Sequence, residues 1–233
     1  MVPIPNKAQF IMQYILFDLD GTLIDHFTTI HKSVAFAQRE LGLPESDYAT
    51  VRATVGGSVP ITLCKLCGEA NAAAAEPLFR RHFDEIIFED AFTLPGAEWL
   101  LQSLKARGDK LGVFTNKYAG HTRAVLAHLE LDQWFDVILG TGEPECPYRK
   151  PDPLFSAYVL EQMDCASEET TMIGDSPYDI AAAEAGCMTC HIVATGSHSA
   201  EQLSEYIDAT HIHTDLYALG HKVFGLKAAA QLV

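Results

Sequence analysis

Basic residues are scarce in this 233-residue chain: 16 Lys and Arg stand against 31 Asp and Glu, for a formal net charge of −15. A field of that sign repels nucleic acid and anionic membrane surfaces, so neither is expected as a partner. Long hydrophobic runs are missing too; no stretch approaches the roughly 20 apolar residues that span a bilayer. The opening segment Met1–Ile11 carries Pro3 and Pro5 but no apolar signal core and no small-residue cleavage site. It reads as a short extension ahead of the first strand. Six cysteines are scattered through a chain large enough to build its own core, so a disulfide framework is not expected and a reducing cytoplasm is the simplest location. Internal repeats and low-complexity segments are absent, and nothing in the sequence speaks to oligomeric state.

What is present is an alternation of strand and helix. Gln13–Asp18 is a short apolar run ending in an acid, the pattern of a buried parallel strand. Further strands are expected at Lys110–Thr115, Phe135–Leu139, Thr170–Gly174 and Met188–Val193, with a short one around Thr210–Ile212. Helical patterns fall between them, over Ala97–Arg107, His121–Leu129, Pro153–Met163 and Tyr178–Ala185. This spacing predicts an α/β fold: a Rossmann-like parallel sheet with helices on both faces. After the first strand the alternation is interrupted by helical patterns alone, beginning with His26–Leu41. The expected organisation is therefore a core of residues 1–24 and 90–233 carrying an inserted all-helical cap, residues 25–89. Ala72–Ala75 followed by Glu76–Ile87 is the clearest helix of that insert, and Gly56-Gly57 marks a turn between two of its helices.

Ligands of open parallel sheets bind beyond the carboxyl ends of the strands. Polar groups gather at those ends here: Asp18 and Asp20 after the first strand, Thr115 and Asn116 at the end of the second, Lys150 after the third, Asp175 and then Asp179 after the fourth. Crowded carboxylates repel one another, and a divalent cation relieves the conflict. Oxygen donors without a histidine or thiolate cluster suit Mg²⁺ rather than zinc or copper. One carboxylate can then attack phosphorus, with the cation on one side of the phosphoryl group and Lys150 on the other. Thr115 and backbone N–H groups near Gly21 would supply hydrogen bonds. Cys64-x-x-Cys67 and Cys187-x-x-Cys190 read as core packing rather than as a zinc site, and His211-x-His213 as the end of a short strand.

Asp18-Leu19-Asp20-Gly21-Thr22, Thr115-Asn116, Lys150-Pro151 and Gly174-Asp175-Ser176-x-x-Asp179, in this order, resemble the four motifs of the haloacid dehalogenase-like superfamily. The similarity covers nearly the whole chain, and within the superfamily it is greatest to the phosphoglycolate phosphatase-like branch with a helical cap. The resemblance implies a Mg²⁺-dependent phosphatase acting on a small phosphomonoester through an aspartyl-phosphate, with phosphoglycolate as one possible substrate. It implies Asp18 as nucleophile and metal ligand, and Asp20 as acid and base with its carbonyl on the metal. Thr115 and Asn116 would hold the phosphoryl group, Lys150 would neutralise it, Asp175 would be a metal ligand, and Asp179 would bind the metal through water or orient Lys150 or Asp175. Gly56 and Gly57 stand where the family's cap loop faces the substrate. Arg52, Lys65, Arg80 and Arg81 are the cap cations that could meet a substrate carboxylate. The alternative on the same fold is a phosphomutase of the β-phosphoglucomutase type, which returns the phosphoryl group to a sugar.

Overall fold

A computed structural model describes residues 12–227; the opening extension lies outside them. The first strand, β1 (Tyr14–Phe17), forms where the sequence is apolar on both faces. Ile15 and Phe17 enter one core cluster and Leu16 a second, on the opposite side of the sheet. Each such side chain contributes about 1.5–3 kcal/mol on full burial. A two-residue strand, β2 (Ile24–Asp25), follows at once and pairs antiparallel with β3 (Phe92–Thr93). Between these two strands lie four helices: α1 (Phe27–Glu40), α2 (Tyr48–Arg52), α3 (Val59–Cys67) and α4 (Glu69–Ile86). β2 and β3 thus bring the two ends of the helical insert side by side, a strap that the sequence pattern did not predict.

The remaining elements alternate as expected. They are α5 (Ala97–Arg107), β4 (Lys110–Tyr118), α6 (Ala119–His128), β5 (Val137–Thr141), α7 (Pro153–Met163), β6 (Thr170–Gly174), α8 (Pro177–Ala185), β7 (Thr189–Val193), α9 (Ala200–Leu203), β8 (Ile212–His213) and α10 (Leu216–Phe224). The main sheet is six-stranded in the order β5-β4-β1-β6-β7-β8, and every pairing in it is parallel. β1 sits near the middle, with Phe17 opposite Val113 on one side and Ile173 on the other. That register sets Asp18 level with the ends of β4 and β6, and its N–H donates to the Ile173 carbonyl at 2.9 Å.

Two expectations need correction, both at strand ends. β4 runs on to Tyr118, past the predicted end at Thr115, with an irregularity between Phe114 and Tyr118. Thr115 and Asn116 are expected at the strand's end, yet Tyr118 still pairs with Thr141. The third strand is shifted to Val137–Thr141, so Lys150 follows a loop over 142–149 rather than the strand itself. The long insert helix passes straight through Pro77. Proline removes one backbone donor and crowds the preceding turn. The alanines at 72–75 are the strongest helix formers available to offset that cost.

Candidate active site

Asp18, Asp175 and Asp179 come together at the carboxyl edge of β1 and β6. All three are buried, and one oxygen from each lies within 4.8 Å of the others. This is the only such group of acidic, histidine or cysteine ligands among the described residues. Lys150, 1 % exposed, inserts its ammonium between two of them, at 2.8 Å from Asp18 Oδ1 and 2.5 Å from Asp179 Oδ1. The second oxygen of Asp179 is consumed within its own loop, accepting from the N–H groups of Asp175 and Ser176 and from the Ser176 hydroxyl at 2.7 Å. Asp179 therefore orients Lys150 and the loop that carries Asp175. Asp175 accepts from the Thr22 hydroxyl at 3.4 Å and from the N–H and hydroxyl of Ser197 at 2.9 and 3.2 Å.

One ammonium cannot balance three buried carboxylates. Burial lifts the Asp18 pKa to about 6 against the pull of Lys150, and the Asp179 charge adds to the lift. Burial, then repulsion from Asp179 and Asp18, raises Asp175 well above the ordinary carboxylate range. Burial also works against the Lys150 ammonium, but Asp179 and Asp18 outweigh it and hold its pKa above the usual lysine value. The surplus of negative charge among hard oxygen donors fits a divalent cation of the Mg²⁺ type.

Backbone geometry keeps this pocket open. Gly21 has φ +90°, and a Cβ there would lie 2.7 Å from Asp175 Oδ2 and 2.8 Å from the Gly196 Cα. Gly21→Ala should therefore cost on the order of 1–3 kcal/mol in strain and collision. Thermal unfolding would read this as a lower Tm, accompanied by lost activity as Asp175 is displaced.

Asp20 is placed differently. Its carboxylate does not join the acid cluster but is gripped by Lys117, at 3.1 and 2.9 Å. Only its backbone carbonyl is left to serve a metal. Lys117 also lies 3.2 Å from Nδ1 of His26, whose Nε2 is 2.8 Å from the Ile87 carbonyl. The carbonyl can only accept, so Nε2 carries the proton and Nδ1 accepts from the ammonium. Burial, with Lys117 next, depresses the His26 pKa to about 3, which keeps the ring neutral. In sequence Lys117 reads either as an extension of the positive field around the phosphate or as a solvated lysine, and His26 carries no signal. The one available signal was a cation directly after Thr115-Asn116.

Thr115 is buried at the same edge, and its Oγ1 accepts from the Lys117 N–H at 3.3 Å. The Asn116 side chain is a brace. Its Nδ2 donates to the Gly56 and Lys150 carbonyls at 3.0 and 3.1 Å, while its Oδ1 accepts from the Lys150 N–H at 2.8 Å. One amide thus fixes both the lysine loop and the glycine turn of the helical insert. Gly56 adopts φ +121°, and a Cβ added there would lie 3.2 Å from the Ser176 side chain; one added at Gly57 would lie 3.1 Å from the Tyr178 hydroxyl. Arg52 ties the insert to the loop after β7, donating to the Thr195 and Gly196 carbonyls at 2.9 and 3.0 Å. The cysteines of both Cys-x-x-Cys pairs are free thiols and belong to no ligand cluster among the described residues. Among those residues, no helix is long and apolar enough to cross a membrane.

Comparisons with known proteins place this geometry in a family. Residues 15–193 match the model of the haloacid dehalogenase-like hydrolases. A phosphoglycolate phosphatase of Cereibacter sphaeroides is 35% identical over 182 residues, covering 75% of this chain and 81% of that protein. A phosphoglycolate phosphatase of Rhodospirillum rubrum is 31% identical over 218 residues, 88% of each chain. Among solved structures, a predicted phosphatase from Clostridium acetobutylicum superposes with a TM-score of 0.84 at 28% identity, over 93% of this chain and all of that one.

Proposed function

The chain belongs to the haloacid dehalogenase-like hydrolases and is a phosphatase of that family, and from that premise we propose that it hydrolyses a small phosphomonoester through an aspartyl-phosphate on Asp18, with Mg²⁺ as cofactor. The observation that carries this reading is the Lys150 ammonium seated between Asp18 and Asp179, with Asp175 in the same cluster.

Asp18 attacks phosphorus with the oxygen aimed at the phosphate site; the ester P–O bond breaks and the leaving oxygen takes a proton from Asp20. Asp20 then accepts a proton from water, which attacks phosphorus and releases inorganic phosphate and the Asp18 carboxylate. To serve both steps, the Asp20 carboxyl keeps one oxygen on Lys117 and turns the other to the substrate oxygen. Lys150 stays paired with Asp18 and meets the charge on the phosphoryl oxygens, and Thr115 donates its hydroxyl to one of them. Asn116 holds Lys150 in place and offers its backbone N–H. Asp18, Asp175 and the Asp20 carbonyl would hold the metal, with Asp179 oriented behind them through Lys150. Mg²⁺ bound there would neutralise the acids and polarise the phosphoryl oxygens.

The helical insert, residues 25–89, acts as a cap that excludes water from the first step, with Gly56 and Gly57 lying over the site. The relatives' name brings phosphoglycolate forward as one substrate to assay. p-Nitrophenyl phosphate, tested with Mg²⁺ and with EDTA, checks the core reading: turnover should require the metal, and equal rates in EDTA would refute it.

A pH-dependent metal effect follows from the raised carboxyls. A group whose folded pKa lies above its unfolded value contributes stability fully below the unfolded pKa and loses it as pH rises through the folded one. The metal-free protein should therefore lose stability as pH rises from about 4 through about 6, the range set by Asp18. Mg²⁺ should raise Tm more at pH 7.5 than at pH 5, as differential scanning fluorimetry can measure. An equal shift at both values would argue against these acids as its ligands.

A further inference from the structure

The space in front of Asp18 and Asp20 has a polar floor and an apolar wall. Asp18, Asp20, Thr115 and Lys117 form the floor, where the phosphoryl group belongs. The helical insert supplies the wall: Ile30, Val55, Val59, Leu63, Phe79 and Phe83. No arginine or lysine of the insert reaches this lining. Each is engaged or turned away. Arg52 is spent on the Thr195 and Gly196 carbonyls. Arg80 is held by Glu76 through two nitrogens, at 2.9 and 2.6 Å, and lies over the ring of Tyr118, which lines the space, without itself reaching the lining. Arg81 lies over the Phe36 ring, Lys32 pairs with Asp90, Arg39 pairs with Glu45, and Lys65 is exposed.

The two basic groups that do line the space are also committed. Lys117 already neutralises Asp20. His121 is 2.6 Å from Asp84, and burial lowers its pKa below the usual histidine value. Thr62, Asn116 and Tyr118 also line the space, with Thr62 and Asn116 donating to backbone carbonyls, but no uncommitted cation does, so a carboxylate on the substrate would give up its hydration without gaining a charged partner.

Resting on the phosphatase reading above, we infer that the alcohol part of the substrate is uncharged and apolar: a phosphomonoester of a small alkyl or aryl alcohol, not of a hydroxy acid. The wall accepts such a group by burying it, while a carboxylate loses its hydration and gains nothing. Of the cap cations expected from sequence to meet a substrate carboxylate, Arg52, Arg80 and Arg81 have other partners and Lys65 lies exposed outside this lining.

The test compares n-butyl phosphate with 2-phosphoglycolate on the intact enzyme with Mg²⁺. The butyl ester has the poorer leaving group, so a preference for it reports binding of the alkyl chain. The expected kcat/KM ratio is about 100-fold or more in its favour. Val59→Arg, at the half-exposed start of α3, would put a guanidinium on the wall and should narrow that ratio by about tenfold or more. Circular dichroism would check that the variant folds, and the wild-type ratio stands without it. Phosphoglycolate hydrolysed as well as or better than butyl phosphate would overturn this inference and leave the phosphatase reading standing. Hydrolysis of neither ester, nor of p-nitrophenyl phosphate, would overturn both.

Discussion

Asp18→Asn should abolish turnover, by about 10⁴-fold or more, while making the metal-free protein more stable at neutral pH. The two effects share one cause. Asp18 is buried, and its pKa is lifted to about 6 chiefly by loss of hydration. Holding it ionised at pH 7.5 costs on the order of 1–3 kcal/mol relative to the protonated, asparagine-like form. An amide removes that cost and the nucleophile together. In EDTA the variant should therefore melt above wild type at pH 7.5, and the gap should close towards pH 4, where wild-type Asp18 is protonated. Retained activity would remove Asp18 from the chemistry. A variant less stable than wild type at pH 7.5 would show that the Lys150 contact outweighs the desolvation of Asp18.

Lys150→Met should cost both activity and stability. Methionine matches the length of the lysine stem but leaves Asp18 and Asp179 without their shared ammonium. Removing one partner of a buried ion pair typically costs 3–5 kcal/mol, roughly, because the other charge is stranded. Here two acids are stranded, with Asp175 close by. Urea unfolding in EDTA should show a loss of that order at pH 7.5, shrinking as pH falls and the acids protonate. The double variant Lys150→Met, Asp18→Asn should recover part of it, since one of the stranded charges is gone. A single variant as stable as wild type at pH 7.5 would mean that the acids are neutral in the folded protein.

The fold and the core of the site were legible because each rests on a local signal. An apolar run ending in an acid marks a central strand, and parallel pairing then carries residues distant in sequence to one edge. That reasoning places Asp18, Thr115, Lys150, Asp175 and Asp179 together, as found. What a side chain touches across the site had no such signal. Asn116 serves as a brace between Gly56 and Lys150, and nothing in its neighbours announces that its amide will span two loops. The grip of Lys117 on Asp20, and the neutral His26 behind it, depends on how α1 enters from the strap formed by β2 and β3. Those strands are two residues each, too short to leave a periodic pattern. Which cap cation would face the substrate had no signal either: the sequence offers Arg52, Lys65, Arg80 and Arg81, but only packing shows where Arg52 and Arg80 spend their hydrogen bonds.

The stereochemical course at phosphorus tests the mechanism most directly, using a substrate whose phosphoryl group is made chiral with oxygen isotopes and sulfur. Two in-line displacements, the first by Asp18 and the second by water, predict net retention of configuration. Inversion would mean that water attacks the ester in a single step, and the assignment of Asp18 as nucleophile would be wrong.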